Sequence, residues 1–139
     1  MLVTPNLGEL ELVEKMIKDA LDVDENYTLK LYQSDTTPDK DTVSADFTEC
    51  DFTDYTSKTL TRAGWDAATT IADKASISYG TQQSYVCGAT GNEVFGYWIE
   101  GATSGTCLWA ERFATSRTLA EGDQLNLTPV LTLNSESDS

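Results

Sequence analysis

The stretch Val94–Phe113, VFGYWIEGATSGTCLWAERF, decides how the rest of the chain is read. From Val94 to Glu100 nearly every residue is β-branched, aromatic or glycine, the types that suit a pleated, half-buried surface. Gly101-Ala102-Thr103-Ser104-Gly105 supplies residues that tolerate turn dihedrals. Cys107 to Phe113 then resumes the strand pattern, so the stretch predicts a β-hairpin. In strict alternation Phe95, Tyr97 and Ile99 share one face, and Val94, Gly96, Trp98 and Glu100 the other. In the second strand Cys107, Trp109, Glu111 and Phe113 alternate with Leu108, Ala110 and Arg112. Large apolar groups on both faces place this pair inside a sheet covered on both sides. Gly96 within a strand predicts a bulge or a close backbone approach. Trp98 and Trp109 are read as core residues rather than as a ligand platform.

Outward from the hairpin, short strands alternate with turns. Tyr27 to Gln33 is a strand with Tyr27, Leu29 and Leu31 on one side and Thr28, Lys30 and Tyr32 on the other. Ser34 to Thr42 is a polar surface loop. Asp46 to Tyr55 is anchored by Phe47 and Phe52, and Thr48 with Asp51 fits the start of a helical turn. Tyr55 to Arg62 is extended, and Gly64-Trp65-Asp66 breaks it. Ala67 to Lys74 reads as loop, and Ala75 to Tyr79 and Gln83 to Cys87 as strands. Ser116 to Ala120 and Asp123 to Leu133 give the last strands, with Leu125, Leu127, Leu131 and Leu133 on one parity. Pro129 has no N–H to give a ladder, so the strand around it is an edge or is bulged. Asn134 to Ser139 is a polar tail.

Before the first long strand, Leu7 to Leu21 has helical periodicity. Thr4 before Pro5 and Asn6 with Glu9 are start signals. Leu10, Val13, Ile17, Ala20 and Leu21 form the apolar stripe, widened by Leu12 and Met16. The expected fold is therefore mainly β: one domain over 1–139, an antiparallel β-sandwich or small barrel at 27–133, one N-terminal amphipathic helix at 6–22, and a tail at 134–139.

Composition narrows function by exclusion. The 139 residues carry a net charge of −14, nine basic against twenty-three acidic, which disfavours both a phosphate backbone and an anionic membrane as partner. No run approaches a membrane span, and the N-terminus lacks the features of a signal peptide. The chain has no histidine, which excludes Ser-His-Asp and Cys-His catalysis and the common imidazole metal sites. Cys50, Cys87 and Cys107 have no C-x-x-C spacing and read as reduced, buried thiols. The sequons at Asn26 and Asn126 fall in strand-like segments and read as chance. Asp22 to Asn26 reads as a solvated acidic turn, since it lacks the glycine and terminal glutamate of an EF-hand loop. Asp46, Glu49, Asp51 and Asp54 form the one cluster that would suit a carboxylate enzyme, and a solvated face is the simpler reading. No catalytic, cofactor or metal residue is assigned.

The ends of the chain, NLGELELVEKMIKDAL with NYTLKLY, and LWAERFATSRTLAEGDQLNLTPVLTL, resemble small virion-associated proteins of tailed bacteriophages. The closing L-x-x-G-D-x-L-x-L-T-P is the most suggestive part. The resemblance implies a non-enzymatic particle component without cofactors, made in the host cytoplasm and resident on the capsid exterior. A decoration (cement) protein on the major capsid protein lattice is the leading form, and a head–tail or tail component the next. Its expected partners are the major capsid protein or other virion proteins and further copies of itself, with a trimer among the forms considered. The contact residues expected are Leu10, Leu12, Val13, Met16 and Ile17 on the helix and Pro129, Val130 and Leu131 on the edge strand. A carbohydrate- or receptor-binding β-sandwich is the alternative, and requires Trp65, Trp98 or Trp109 together on the surface.

Overall fold

The computed structural model describes residues 2–3, 5, 25–71 and 74–133. The expected helix at 6–22 and tail at 134–139 lie outside the described residues. Those described are mainly β, in antiparallel sheets. The strands are β1 (Leu2–Val3), β2 (Tyr27–Tyr32), β3 (Lys58–Leu60), β4 (Thr69–Ile71) and β5 (Lys74–Ser78). They continue with β6 (Gln83–Val86), β7 (Glu93–Gly101), β8 (Cys107–Thr118), β9 (Gln124–Leu127) and β10 (Val130–Leu133). Two 3₁₀ turns, Ser44–Asp46 and Arg62–Gly64, are the helical elements among them.

The predicted hairpin is β7–β8, and it is interior as expected. The five-stranded sheet runs β1-β8-β7-β2-β3, so both hairpin strands have a neighbour on each side. β5 lies between β10 and β4 in a second sheet, and β6 pairs with β9 in a third. The main apolar cluster draws on all three sheets: Leu29, Leu31, Tyr97, Ile99 and Trp109 from the first, Leu131 from the second, Tyr85 and Leu125 from the third. A second cluster, Tyr32, Phe47, Trp98, Cys107 and Ala110, holds the residues of the opposite parity. β2 follows the predicted alternation, since Leu29 and Leu31 enter the first cluster and Tyr32 the second.

Strict alternation fails in the hairpin, at two register shifts. Val94 pairs with Arg117 but Gly96 with Arg112, so Phe95 alone stands against residues 113–116 of β8 and the register moves by three. Val94 therefore joins Tyr97 and Ile99 in the main core, while Phe95 packs beside Trp98. Ile99 pairs with Trp109 and Glu100 with Cys107, leaving Leu108 as the extra residue. That bulge sends Leu108 and Trp109 to the same core and leaves Cys107 on the other side. A bulge consumes one residue without a partner and so inverts the period-2 pattern beyond it. Gly96 has its predicted role. A Cβ there would run into the Glu111 carbonyl oxygen and the Tyr32 ring.

Other boundaries also differ from expectation. Ser116 to Ala120 is not a separate strand, because β8 runs unbroken to Thr118. Ala67 to Lys74 is not a loop: β4 pairs with β5, Thr69 with Ser76. The β-branched Thr69, Thr70 and Ile71 outweigh the small alanines before them. No helical turn starts at Thr48; the 3₁₀ turn lies earlier, with the Asp46 carboxylate accepting the Val43 N–H at 2.8 Å. Asp123 to Leu133 is two strands, and the chain passes from the β6–β9 pair to the β5–β10 pair through Thr128-Pro129. A proline suits that crossing because neither ladder needs its missing N–H.

Candidate functional site

The edge-strand residues Pro129, Val130 and Leu131 take three different environments. Pro129 is buried, and its carbonyl accepts the Tyr79 N–H at 2.9 Å. Leu131 is buried in the main core. Val130 is 38% exposed. β10 is the end strand of its sheet, so among the described residues its outer edge carries no strand. Among the side chains described on this strand, Val130 is exposed and Thr132 is half-buried, its hydroxyl 3.2 Å from that of Ser76. Leu10, Leu12, Val13, Met16 and Ile17 lie outside the described residues.

The three tryptophans do not form a platform. Trp98 and Trp109 are buried, in different clusters. Trp65 is half-buried and packs edge-on against Tyr27, Tyr79 and Trp109, with centroids 6.3, 5.3 and 5.7 Å apart. An aromatic surface for stacking a sugar needs faces open to solvent, and here the rings face one another.

The acidic stretch 46–54 is dispersed by its local duties. Asp46 closes the 3₁₀ turn, and Asp51 accepts from Gln33 Nε2 at 3.2 Å. Asp54 takes a left-handed φ of 70° beside Gly88. Glu49 accepts from Tyr55 at 2.9 Å and pairs with Lys30 at 3.6 Å. Among the described residues no three metal-ligating side chains converge.

Two constellations escaped sequence reading. In the first, the Lys30 ammonium sits 2.8 Å from Glu100 Oε1 and 5.6 Å from the Trp98 ring centroid, and Trp98 Nε1 donates to Glu100 Oε2 at 2.8 Å. Burial opposes ionisation of Glu100, but hydrogen bonds from Lys30, Trp98 and Ser44 outweigh it and hold the carboxyl below its ordinary value. Burial likewise opposes charge on Lys30, and the bond and charge of Glu100 together with Glu49 carry its pKa above the ordinary value. These residues neighbour one another because β2 pairs with β7, Lys30 opposite Trp98. Long-range pairing leaves no local sequence signal.

The second constellation corrects the reading of Asp22 to Asn26 as a solvated turn at its one carboxylate that is described. Glu25 is only 4% exposed. Its carboxylate accepts the N–H groups of Thr103 and Ser104 at 2.7 and 2.8 Å and the Ser104 hydroxyl at 3.0 Å. A tight turn leaves N–H groups without ladder partners, and a buried carboxylate satisfies them. The glutamate thereby ties the start of β2 to the tip of the β7–β8 hairpin.

A hollow of about 180 Å³ lies between Thr42–Ser44 and Ser104–Cys107. Three of its hydroxyls are already engaged: Thr42 with Asp39, Ser44 with the Gly105 carbonyl, Ser104 with Glu25. Cys50, Cys87 and Cys107 are all buried free thiols. Burial, with nearby carboxylates, pushes Cys50 and Cys107 up to about 12, far from a reactive thiolate. Cys87 and Cys107 belong to different clusters, a separation that sequence spacing left open. Compared with known proteins, the chain matches no family model and no curated protein.

Proposed function

We propose that this chain is a non-enzymatic structural protein of a phage particle, and specifically a decoration protein on the outside of the major capsid lattice. The observation that carries the reading is the β10 edge. It is an end strand, has no charged residue, and sets the half-exposed Val130 on an edge that no other strand of the described residues covers. Such an edge is a template for strand addition by a neighbouring chain. The groups that could serve chemistry are turned to structural use: the thiols are buried, Glu25 holds a turn, and Lys30 is held by Glu100. The resemblance of the chain ends to virion-associated proteins and the −14 charge support a place outside packaged DNA, after synthesis in the host cytoplasm. We read the sheets around their shared core as a β-sandwich, with copies of the chain meeting at lattice axes as a homo-oligomer.

The test is light scattering of the purified protein alone and with its host capsid shell, followed by heating. Uptake at a fixed ratio per lattice site with a raised disruption temperature supports the decoration role. A protein that stays free and leaves the shell unchanged sinks it, and head–tail or tail structures become the next partners to assay.

A further inference from the structure

The connection from β2 to β3, Gln33 to Ser57, is long and holds one three-residue 3₁₀ turn. Connections longer than about 12–15 residues without regular structure are uncommon and are often lids or binding loops. Its first part, Gln33 to Cys50, lies over the second apolar cluster. Phe47 stacks on Trp98 with centroids 4.9 Å apart and meets Tyr32 at 4.6 Å. Backbone attachment is sparse: Cys50 N–H donates to Leu31 O of β2 at 2.9 Å, while the 2.8 Å bond from Gln33 N–H to Thr48 O closes the strap on itself. The remaining fastenings are side chains. Arg112 pairs with Asp35 and donates to the Thr36 carbonyl at 3.1 Å, while its cation lies 5.2 Å from the Phe95 ring centroid. The Tyr32 hydroxyl donates to the same carbonyl at 3.2 Å. Lys30 reaches Glu49 at 3.6 Å, and Ser44 binds the Gly105 carbonyl at 2.9 Å and Glu100.

We propose that Gln33–Cys50 is a charge-latched strap that opens as a unit, ahead of global unfolding, and uncovers the aromatic face formed by Tyr32, Phe95 and Trp98. Three features point to this. The strap covers a cluster distinct from the main core, to which it contributes Cys50 at its far end. Both ion pairs that join strap to sheet among the described residues are partly in water, Asp35 at 73% side-chain exposure and Glu49 at 36%. Segments with few ladder bonds and solvent-facing fastenings open sub-globally. Once lifted, the strap leaves three rings ringed by Lys30, Arg112 and Glu100, a surface the closed form hides.

Native-state hydrogen exchange on the whole chain tests the strap. The Cys50 amide, whose bond to Leu31 joins strap to sheet, should exchange about tenfold or more faster than the β7–β8 ladder from Tyr97 to Trp109, reflecting a smaller opening unit. Raising NaCl from about 0.05 to about 1 M should speed the strap amides roughly threefold and leave the ladder unchanged, as screening of half-exposed pairs requires. Arg112→Gln should reproduce that acceleration and blunt the response to salt. A common rate for strap and ladder at every salt concentration overturns the proposal. So does a fast strap indifferent to salt. The wild-type salt series decides even where Arg112→Gln fails to fold.

Discussion

At the scale of single residues, Glu25 and Gly96 bear the largest consequences. Removing the Glu25 carboxylate takes the acceptor from the Thr103 and Ser104 N–H groups at the exposed hairpin tip. Glu25→Ala should lower unfolding free energy by about 1–3 kcal/mol in urea titration, the usual worth of hydrogen bonds to a charged group. At Gly96 the obstacle to a methyl group includes backbone, the Glu111 carbonyl, as well as the Tyr32 ring. Gly96→Ala should therefore cost about 1–3 kcal/mol through overpacking, read from the same titration. The Lys30–Glu100 pair has a signed pH dependence. Glu100 has a folded pKa below 4.5, so its stabilisation is present above that value and is lost as pH falls through the folded pKa. Lys30 has a folded pKa above 10.5, so its share is present below that value and disappears as pH rises through the folded pKa. The Tm difference between wild type and Glu100→Gln should be largest near neutrality and shrink under acid below 4.5. A difference that stays constant to low pH would show that the carboxylate charge is not the source.

At the scale of elements, β10 and the β7–β8 hairpin play opposite parts. The hairpin is flanked by strands on both sides and has neighbours on both faces, so its order is fixed from within. β10 is an edge, and among its described side chains the exposed large one is Val130. Val130→Lys places a charge where natural edge strands carry one to block pairing. It should leave thermal unfolding of the free protein within about 0.5 kcal/mol, as surface changes do. Under the decoration reading it should also weaken uptake onto the shell, measured as bound copies per particle. Unchanged uptake would remove β10 from the interface. The hairpin was legible because its aromatic and β-branched runs flank a turn-forming GATSG. Its faces were not, since the shifts at Phe95 and Leu108 depend on how β8 fits β7. The β4 strand was missed because its alanine-rich approach looks like loop, and its status rests on pairing with β5.

At the scale of the whole molecule, the thiols report on global opening. All three are buried, with Cys50 and Cys107 held near 12. Alkylation should therefore be slow in the native protein and reach three adducts per chain in denaturant, counted by mass spectrometry. Adducts formed at neutral pH ahead of global unfolding would report the strap opening, which predicts Cys50 and Cys107 as the sites before Cys87. The −14 charge acts at this scale too: it keeps free copies apart, and the repulsion fades as pH approaches the pI of about 4.1.

What the sequence by itself determined follows from local chemistry. The β-branched and aromatic runs, the turns between them, the buried Trp98 and Trp109 and the exclusion of histidine chemistry all depend on residue type and near neighbours. The candidate site was legible in part: Pro129 marked the end of a ladder, but its spacing did not show that Leu131 faces the core while Val130 faces out. Only the tertiary structure decided which strands pair, where the chain changes sheets, and that Lys30 meets Glu100 or Glu25 meets Ser104. These contacts join residues far apart in sequence, and the register that brings them together is settled by packing the whole core at once.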